Sequence, residues 1–273
     1  MDNARMLEKI ARFCLMDDTF FNICMDGSLE CVQLILRIIM NNESLAVQSI
    51  VTQRTIGNLK NRGVRFDVMA ISEGKVYDIE IQRTDAGAVP KRARYNSSMI
   101  DANVLRSGQN FNELPESYVI FITEHDILGD NLPIYNISMV IAENGKSFED
   151  GRHIIYVNGE NRNNTALGKL MQDFFSKNPN EMNYKELKTR TKYFKEDEEG
   201  VKKMCEILQE IYDEGKIEGK IEGKIEGEMK TRIELVIDML KANQSLDLIT
   251  KFSKLTVEKI NEIAKENHIV ISN

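Results

Sequence analysis

The chain has few of the residues that bind zinc or form disulfide bonds. Its four cysteines form no CxxC pair, and its three histidines lie far from them in the sequence. A structural zinc site needs such ligands at short spacings, and a disulfide framework needs cysteines that pair. We therefore expect neither a zinc site nor a disulfide framework.

Long hydrophobic runs are also missing. The most apolar stretch, CVQLILRIIM, is interrupted by Gln33 and Arg37, and it is much shorter than the roughly 18 apolar residues of a membrane span. The first residues, MDNARMLEKIARF, lack the basic patch and apolar run of an export signal. We expect a cytoplasmic protein that does not associate with a membrane.

Positive charge is in deficit over the whole chain but is concentrated locally. The formal net charge is −7, which argues against a protein that coats nucleic acid nonspecifically, because phosphate binding needs a concentrated positive surface. Residues 51–65 nevertheless carry four bases and no acid, and residues 83–106 carry five bases and two acids. Both segments are compatible with phosphate binding and with an ordinary solvated face.

The chain has 273 residues, of which 42% are hydrophobic, enough for one main domain and an appendage. Near residue 196 the composition changes to a charged, proline-free stretch with helical character. We expect a main domain at 1–195, a long charged helix at 196–242 and a small helical unit at 243–273.

Hydrophobic patterns in the main domain predict helices and strands in a mixed order. The predicted elements are a helix at 28–40, strands at 64–71 and 75–82, a helix at 91–106, strands at 117–123 and 153–157, and a helix at 166–175. This order predicts an α/β fold with a central mixed β-sheet flanked by helices.

The predicted long helix contains the sequence GKIE three times in succession, from Gly215 onward. A period of four stacks lysine on lysine and glutamate on glutamate, which is unfavourable within one helix. Its isoleucines trace a slowly winding stripe. The repeat is compatible with a homo-oligomer formed through this helix, and also with a partly frayed spacer. The unit at 243–273 is either a DNA-reading helix pair or, as we favour, a packing cap.

The predicted hairpin brings three polar side chains together. With its turn centred between Glu73 and Gly74, Asp67 lies opposite Glu80, and opposed Cβ atoms are about 4.5–5.5 Å apart on one face. Gln82 shares that face because side chains alternate with a period of two. Two carboxylates this close repel unless a cation lies between them, and oxygen ligands fit Mg²⁺ or Mn²⁺. The alternative is the solvent-facing polar side of an edge hairpin.

The same segments resemble a known family. RFD at 65–67, DIEIQ at 78–82 and KRARY at 91–95 are similar to motifs of the PD-(D/E)XK nuclease family transposases, relatives of the Rpn recombination-promoting nucleases. The similarity continues through LPESYVIFIT at 114–123, LPIY at 132–135 and HIIYVN at 153–158. It implies a restriction-endonuclease-like α/β core with a C-terminal helical extension.

The resemblance also implies roles for individual residues. Asp67 and Glu80 would bind Mg²⁺ or Mn²⁺, with the backbone carbonyl of Ile81 as a further ligand, and Gln82 would be the third catalytic residue. Three residues of the following helix would contact DNA, namely Arg92, Arg94 and Tyr95. An acid from an early helix often completes such sites, and Glu30 is the candidate on its position alone.

Two residues depart from the pattern of the family name. Phe66 replaces the proline, and Gln82 replaces the lysine and cannot supply a positive charge. The resemblance implies a metal-dependent DNA endonuclease linked to transposition or recombination. The alternative is a non-catalytic DNA-binding protein or an oligomeric assembly protein that retains the nuclease fold.

Overall fold

The structure, a computed structural model, describes residues 3–57 and 63–269. These residues divide after Cys205 into two compact units. In the first unit, the elements are α1 (Asn3–Arg12), α2 (Asp18–Met25), α3 (Leu29–Ile39), β1 (Ser49–Ile56), β2 (Val64–Ser72), β3 (Lys75–Gln82), α4 (Pro90–Val104), β4 (Ser117–Thr123), β5 (Ile134–Ile137), β6 (Arg152–Asn158), α5 (Ala166–Phe175) and α6 (Lys185–Glu196). Then come α7 (Glu198–Lys241), α8 (Leu246–Ser253) and α9 (Val257–Glu266).

Within the described residues, the strands form one six-stranded sheet in the order β1-β2-β3-β4-β6-β5. The pairs β1–β2, β2–β3 and β5–β6 are antiparallel, whereas β3–β4 and β4–β6 are parallel. Helix α4 packs against β4 and β6, and α2 packs against β1, β2 and β3. The predicted α/β fold with a mixed sheet, flanking helices and a helical C-terminal region is confirmed.

Strand β4 lies near the centre of the sheet and is buried over its whole length. Its sequence, SYVIFIT, is an almost continuous β-prone run, which is typical of a strand covered on both faces. Phe121 and Ile120 are fully buried, and the ring of Phe121 stacks on Tyr156 of β6 with centroids 5.4 Å apart. Strand β3 pairs in parallel with this buried strand along its length.

The turn between β2 and β3 fixes the register of the hairpin. Glu73 and Gly74 have φ angles of 51° and 76°, and a two-residue turn with positive φ at both positions matches the twist of antiparallel strands. Ser72 pairs with Lys75 and Val68 with Ile79, so the predicted register is confirmed. It directs Asp67 and Glu80 to the end of the hairpin farthest from the turn.

The sequence patterns do not predict β1 and β5, which form the two edges of the sheet. Strand β1 reads SIVTQRTI and is exposed or half-buried over most of its length. An edge strand with one partner and a polar face lacks the apolar alternation that identifies strands in a sequence.

The second unit has its own small core. Its buried apolar residues come from the end of α7 and from α8 and α9, and they are Val236, Leu240, Ile249, Leu255, Ile260, Ile263 and Ala264. Helix α8 ends at Ser253, and Lys254 adopts a left-handed conformation before α9 begins. The interpretation of this unit as a packing cap stays a prediction. The predicted boundaries at 195 and 242 stay predictions.

Across the described parts of the chain, every helix is too short or too polar to cross a membrane.

Candidate active site

Strand β2 loses its ladder partners on both sides at Asp67. Toward β1, Thr52 pairs with Val68 and Arg54 with Phe66, whereas Gln53 between them has a φ of 51°, a conformation that costs a non-glycine residue about 1 kcal/mol or more. Toward β3, the ladder ends at Val68. Strands β2 and β3 therefore separate at Asp67 and leave a gap between them, whereas β1 stays paired with β2 on either side of Asp67.

The two predicted acids meet in this gap. The backbone N–H of Asp67 donates to Glu80 Oε1 at 3.3 Å, and the backbone N–H of Ile81 donates to Asp67 Oδ2 at 2.9 Å. The carbonyl of a strand residue points to the same side as its N–H, so the Ile81 carbonyl faces the gap as well. Asp67 is 6% exposed and Glu80 is 0% exposed. The structure thus brings together two carboxylates and one carbonyl.

Arg92 on α4 is the cationic partner of Glu80. Its Nη2 donates to Glu80 Oε2 at 3.0 Å, and its Nη1 donates to the carbonyl of Gly87 at 2.9 Å. The Gln82 amide packs directly against Gly87. A Cβ atom added at Gly87 would overlap this amide. Arg92 therefore places a positive charge beside Glu80.

The carboxylates resist ionisation. Burial raises the pKa of Asp67 to about 8, and the charges of Glu80 and Asp18 add to the shift. Burial also raises the pKa of Glu80, although Arg92 acts in the opposite direction. Asp78 is fully buried, and burial followed by the charges of Glu80 and Asp67 raises its pKa well above the ordinary value. The contact between the Asp78 and Glu80 carboxyl groups raises the pKa of Asp78 and lowers that of Glu80.

These shifts fit a site for a divalent cation. A cation between Asp67 and Glu80 would remove the repulsion and desolvation that raise their pKa values. Within the described residues, no group of three or more His, Cys, Asp or Glu side chains is arranged to hold a metal ion. A hard ion at this position would therefore depend on the two carboxylates and the Ile81 carbonyl, which are oxygen ligands of the kind that Mg²⁺ prefers.

The gap opens into a polar cleft of about 780 Å³. Asp67, Gln82, Arg92 and Tyr95 line it, together with the carboxyl-terminal end of β3. Arg94 is exposed and is not among the residues that line this cleft. A helix rotates by about 100° per residue, so Arg94 projects from a different side of α4 than its neighbours Arg92 and Tyr95.

Glu30 does not belong to this cleft. It lines a different cleft, with Lys185 and Arg190. The expectation that Glu30 completes the site is therefore wrong, because its side chain lies elsewhere. The early-helix acid at the cleft is Asp18, at the start of α2. Position along the chain does not reveal whether α2 or α3 supplies the acid at the cleft, because the placement of both helices depends on packing against distant strands.

Two buried polar residues near the acids were not predicted as members of the site. Asn22 of α2 is 2% exposed, and its hydrogen bond to Asp67 lowers the pKa of that acid. Asn96 of α4 donates to Asp78 at 3.4 Å. Asp78 itself could have been found, since it precedes Glu80 by two residues on the same strand face. The amides come from helices that no local pattern relates to β3.

The predicted basic segments are partly neutralised by acids. Arg65 lies 3.7 Å from Asp18, and Arg83 lies 3.4 Å from Asp17 and 3.6 Å from Glu124. Lys60 and Arg62 lie outside the described residues. Arg65 and Arg83 therefore form ion pairs with acids around the cleft, and these pairs stabilise the structure there.

The fold and the acid pair define a nuclease-like α/β protein. A family model described as PD-(D/E)XK nuclease family transposase matches residues 38–224, more than half of the chain. No curated protein and no solved structure matches the chain. The chain belongs to the PD-(D/E)XK nuclease family transposases, and the resemblance identified in the sequence is confirmed.

Proposed function

We propose that the protein is a Mg²⁺- or Mn²⁺-dependent DNA endonuclease that hydrolyses phosphodiester bonds in transposition or recombination. Family membership supports a nuclease linked to these processes. The observation that carries the proposal is the meeting of Asp67 and Glu80 at the open end of the hairpin, where Asp67 lines a polar cleft and Glu80 is buried behind it. A DNA phosphate would enter this cleft.

Asp67, Glu80 and the Ile81 carbonyl would hold the ion. When bound, a divalent ion supplies Lewis acidity, which stabilises charge on a phosphate and makes water more acidic. Asp67 accepts a hydrogen bond from the Ile81 backbone N–H, and Glu80 accepts one from the Asp67 backbone N–H. These bonds hold both carboxylates in place. Such orientation of ligands by neighbouring groups is a general requirement of metal sites.

Arg92 and Tyr95 would contact the phosphate. The Arg92 side chain is 37% exposed, and each of its two terminal nitrogens donates one hydrogen bond, to Glu80 and to the Gly87 carbonyl. The remaining N–H groups of its planar fork are therefore available to an incoming oxyanion. Gln82 would orient the attacking water with its amide. Arg94 would contact DNA only outside the cleft.

We further propose that the protein self-associates through α7, which would supply two active sites for the two strands of a duplex.

The cytoplasmic location of the protein stays a prediction.

Nicking of supercoiled plasmid, with and without Mg²⁺ or Mn²⁺, tests the proposal. We expect metal-dependent nicking by the parent and its loss in Asp67→Ala. Glu30→Ala is the matched control, because it removes a carboxylate from the other cleft, and we expect it to cut like the parent.

Two observations favour a second function. Gln82 replaces the lysine of the family name, and Arg92 is engaged by Glu80. A folded parent that binds DNA in a salt-dependent manner but leaves the plasmid uncut would identify a non-catalytic DNA-binding protein.

A further inference from the structure

The middle of α7 presents an apolar stripe to solvent. Its members, called here the isoleucine stripe, are exposed over 39–58% of their surface, and they are Ile217, Ile221, Ile225 and Met229. Contiguous exposed apolar surface of this kind marks an interaction site. The residues recur every four positions, so the stripe advances by about 40° per repeat and winds in a right-handed sense around the helix.

The stripe is flanked by charges of opposite sign. In each GKIE repeat, the lysine precedes the isoleucine by one residue and the glutamate follows it by one, which places them about 100° to either side. One border of the stripe is therefore basic, with Lys216, Lys220 and Lys224, and the other is acidic, with Glu222 and Glu226. Among the side chains that the structure describes, these five form no ion pairs with one another.

This arrangement distinguishes two ways of pairing α7 with a second copy. In a parallel pair related by a two-fold axis along the helices, the basic border of each helix faces the acidic border of the other. In an antiparallel pair, the axis is perpendicular to the helices and matches basic with basic and acidic with acidic. Opposite charges at such borders stabilise a helix pair and like charges oppose it.

We propose that α7 pairs with α7 of a second copy in parallel and in register, through the isoleucine stripe. This inference rests on the proposed self-association and adds its orientation. A closed two-fold pair places each residue of the stripe level with its own counterpart. The segments that lead into α7, which belong to the nuclease units, then start side by side.

The glycines of the repeat lie away from this interface. They are about 200° from the isoleucines, and a Cβ added at Gly215, Gly219, Gly223 or Gly227 would meet nothing within 4 Å. The substitution Gly219→Ala is therefore a matched control, because it changes the repeat without changing the stripe or its borders.

Disulfide trapping in the full-length chain tests the orientation. Cys205, the half-exposed cysteine of α7, is first replaced by alanine, and Ile221→Cys and Ile225→Cys are then made separately, because these neighbours in the stripe differ by only about 40° around the helix. In a parallel pair, each variant alone forms a disulfide-linked dimer under mild oxidation. In an antiparallel pair centred on the stripe, Ile221 lies level with Ile225, so the two variants cross-link only when mixed.

Light scattering of the unmodified chain separates the two ways in which the proposal can fail. We expect a dimer, with Gly219→Ala unchanged and with dissociation when Lys216, Lys220 and Lys224 are all replaced by glutamate. A monomeric parent would overturn both the self-association and its orientation. A dimer that cross-links only in the mixture would overturn the orientation alone. Asp67→Ala should dimerise like the parent, so neither result depends on nuclease activity.

Discussion

Replacing Asp67 by asparagine should change the stability of the protein in opposite directions with and without metal. Burial raises the pKa of Asp67 from 3.8 to about 8. Between these values the folded chain retains a proton that the unfolded chain releases. Because the folded state binds more protons, stability falls as pH rises through this window.

The size of this effect follows from the same pKa shift. At pH 7 the unfolded carboxyl is about 3 pH units above its pKa, and each unit corresponds to about 1.4 kcal/mol, or about 4 kcal/mol in total. The carboxyl groups of Asp67, Asp78 and Glu80 repel one another and redistribute protons among themselves. Removing the Asp67 carboxyl alone therefore recovers only part of this free energy. We therefore expect Asp67→Asn to raise the free energy of unfolding by about 2 kcal/mol at pH 7 in EDTA. The asparagine oxygen can still accept from Ile81, so the backbone contact is kept.

Urea unfolding at pH 5 and pH 7, in EDTA and in excess Mn²⁺, measures the effect. A ligand at 100 times its Kd stabilises the folded state by about 2.7 kcal/mol, and we expect this gain in the parent but not in Asp67→Asn. Glu30→Gln, at an exposed acid of the other cleft, should resemble the parent throughout. If Asp67→Asn were less stable than the parent in EDTA, or gained as much from Mn²⁺, the electrostatic reasoning would be refuted.

Three further variants probe the surroundings of the acids. Arg92→Gln removes the cation that competes for Glu80, so Mn²⁺ should bind several-fold more tightly by calorimetry while plasmid nicking slows by about 100-fold; weaker Mn²⁺ binding would contradict this competition. Gly87→Ala should displace Gln82 and slow nicking about tenfold with little change in DNA affinity, and an unchanged rate would show that Gln82 has no positional role. Gln53→Gly should relieve the left-handed backbone beside the gap and raise the free energy of unfolding in urea by about 0.5–1 kcal/mol, whereas a loss of stability would argue against strain.

The elements that could be predicted from the sequence are those with local signals. The turn at Glu73 and Gly74 fixed the hairpin register because two-residue turns admit few conformations. The helix at 28–40 and the buried strand 117–123 were recognisable from periodic apolar residues and from continuous β-prone residues. For the same reason, the meeting of Asp67 and Glu80 could be predicted, since both belong to one hairpin.

The remaining parts of the site depend on contacts between distant segments. Glu30 and Asp18 lie on successive early helices, and only packing against the sheet decides which helix reaches the gap. The contact between Arg92 and Glu80 likewise depends on how α4 lies across the sheet. The sequence identified Arg92 as a base near the site, but only its position in space reveals the acid that it contacts.

The proposed function requires Asp67 and Glu80 to hold a divalent ion jointly for DNA cleavage. The most direct test is the rate at which the parent nicks supercoiled plasmid as Mn²⁺ is titrated in, compared with Glu80→Ala. We predict a saturable increase in rate for the parent and no increase for the variant. A folded parent that leaves the plasmid intact at every Mn²⁺ concentration, or a variant that cuts as fast as the parent, would contradict the claim.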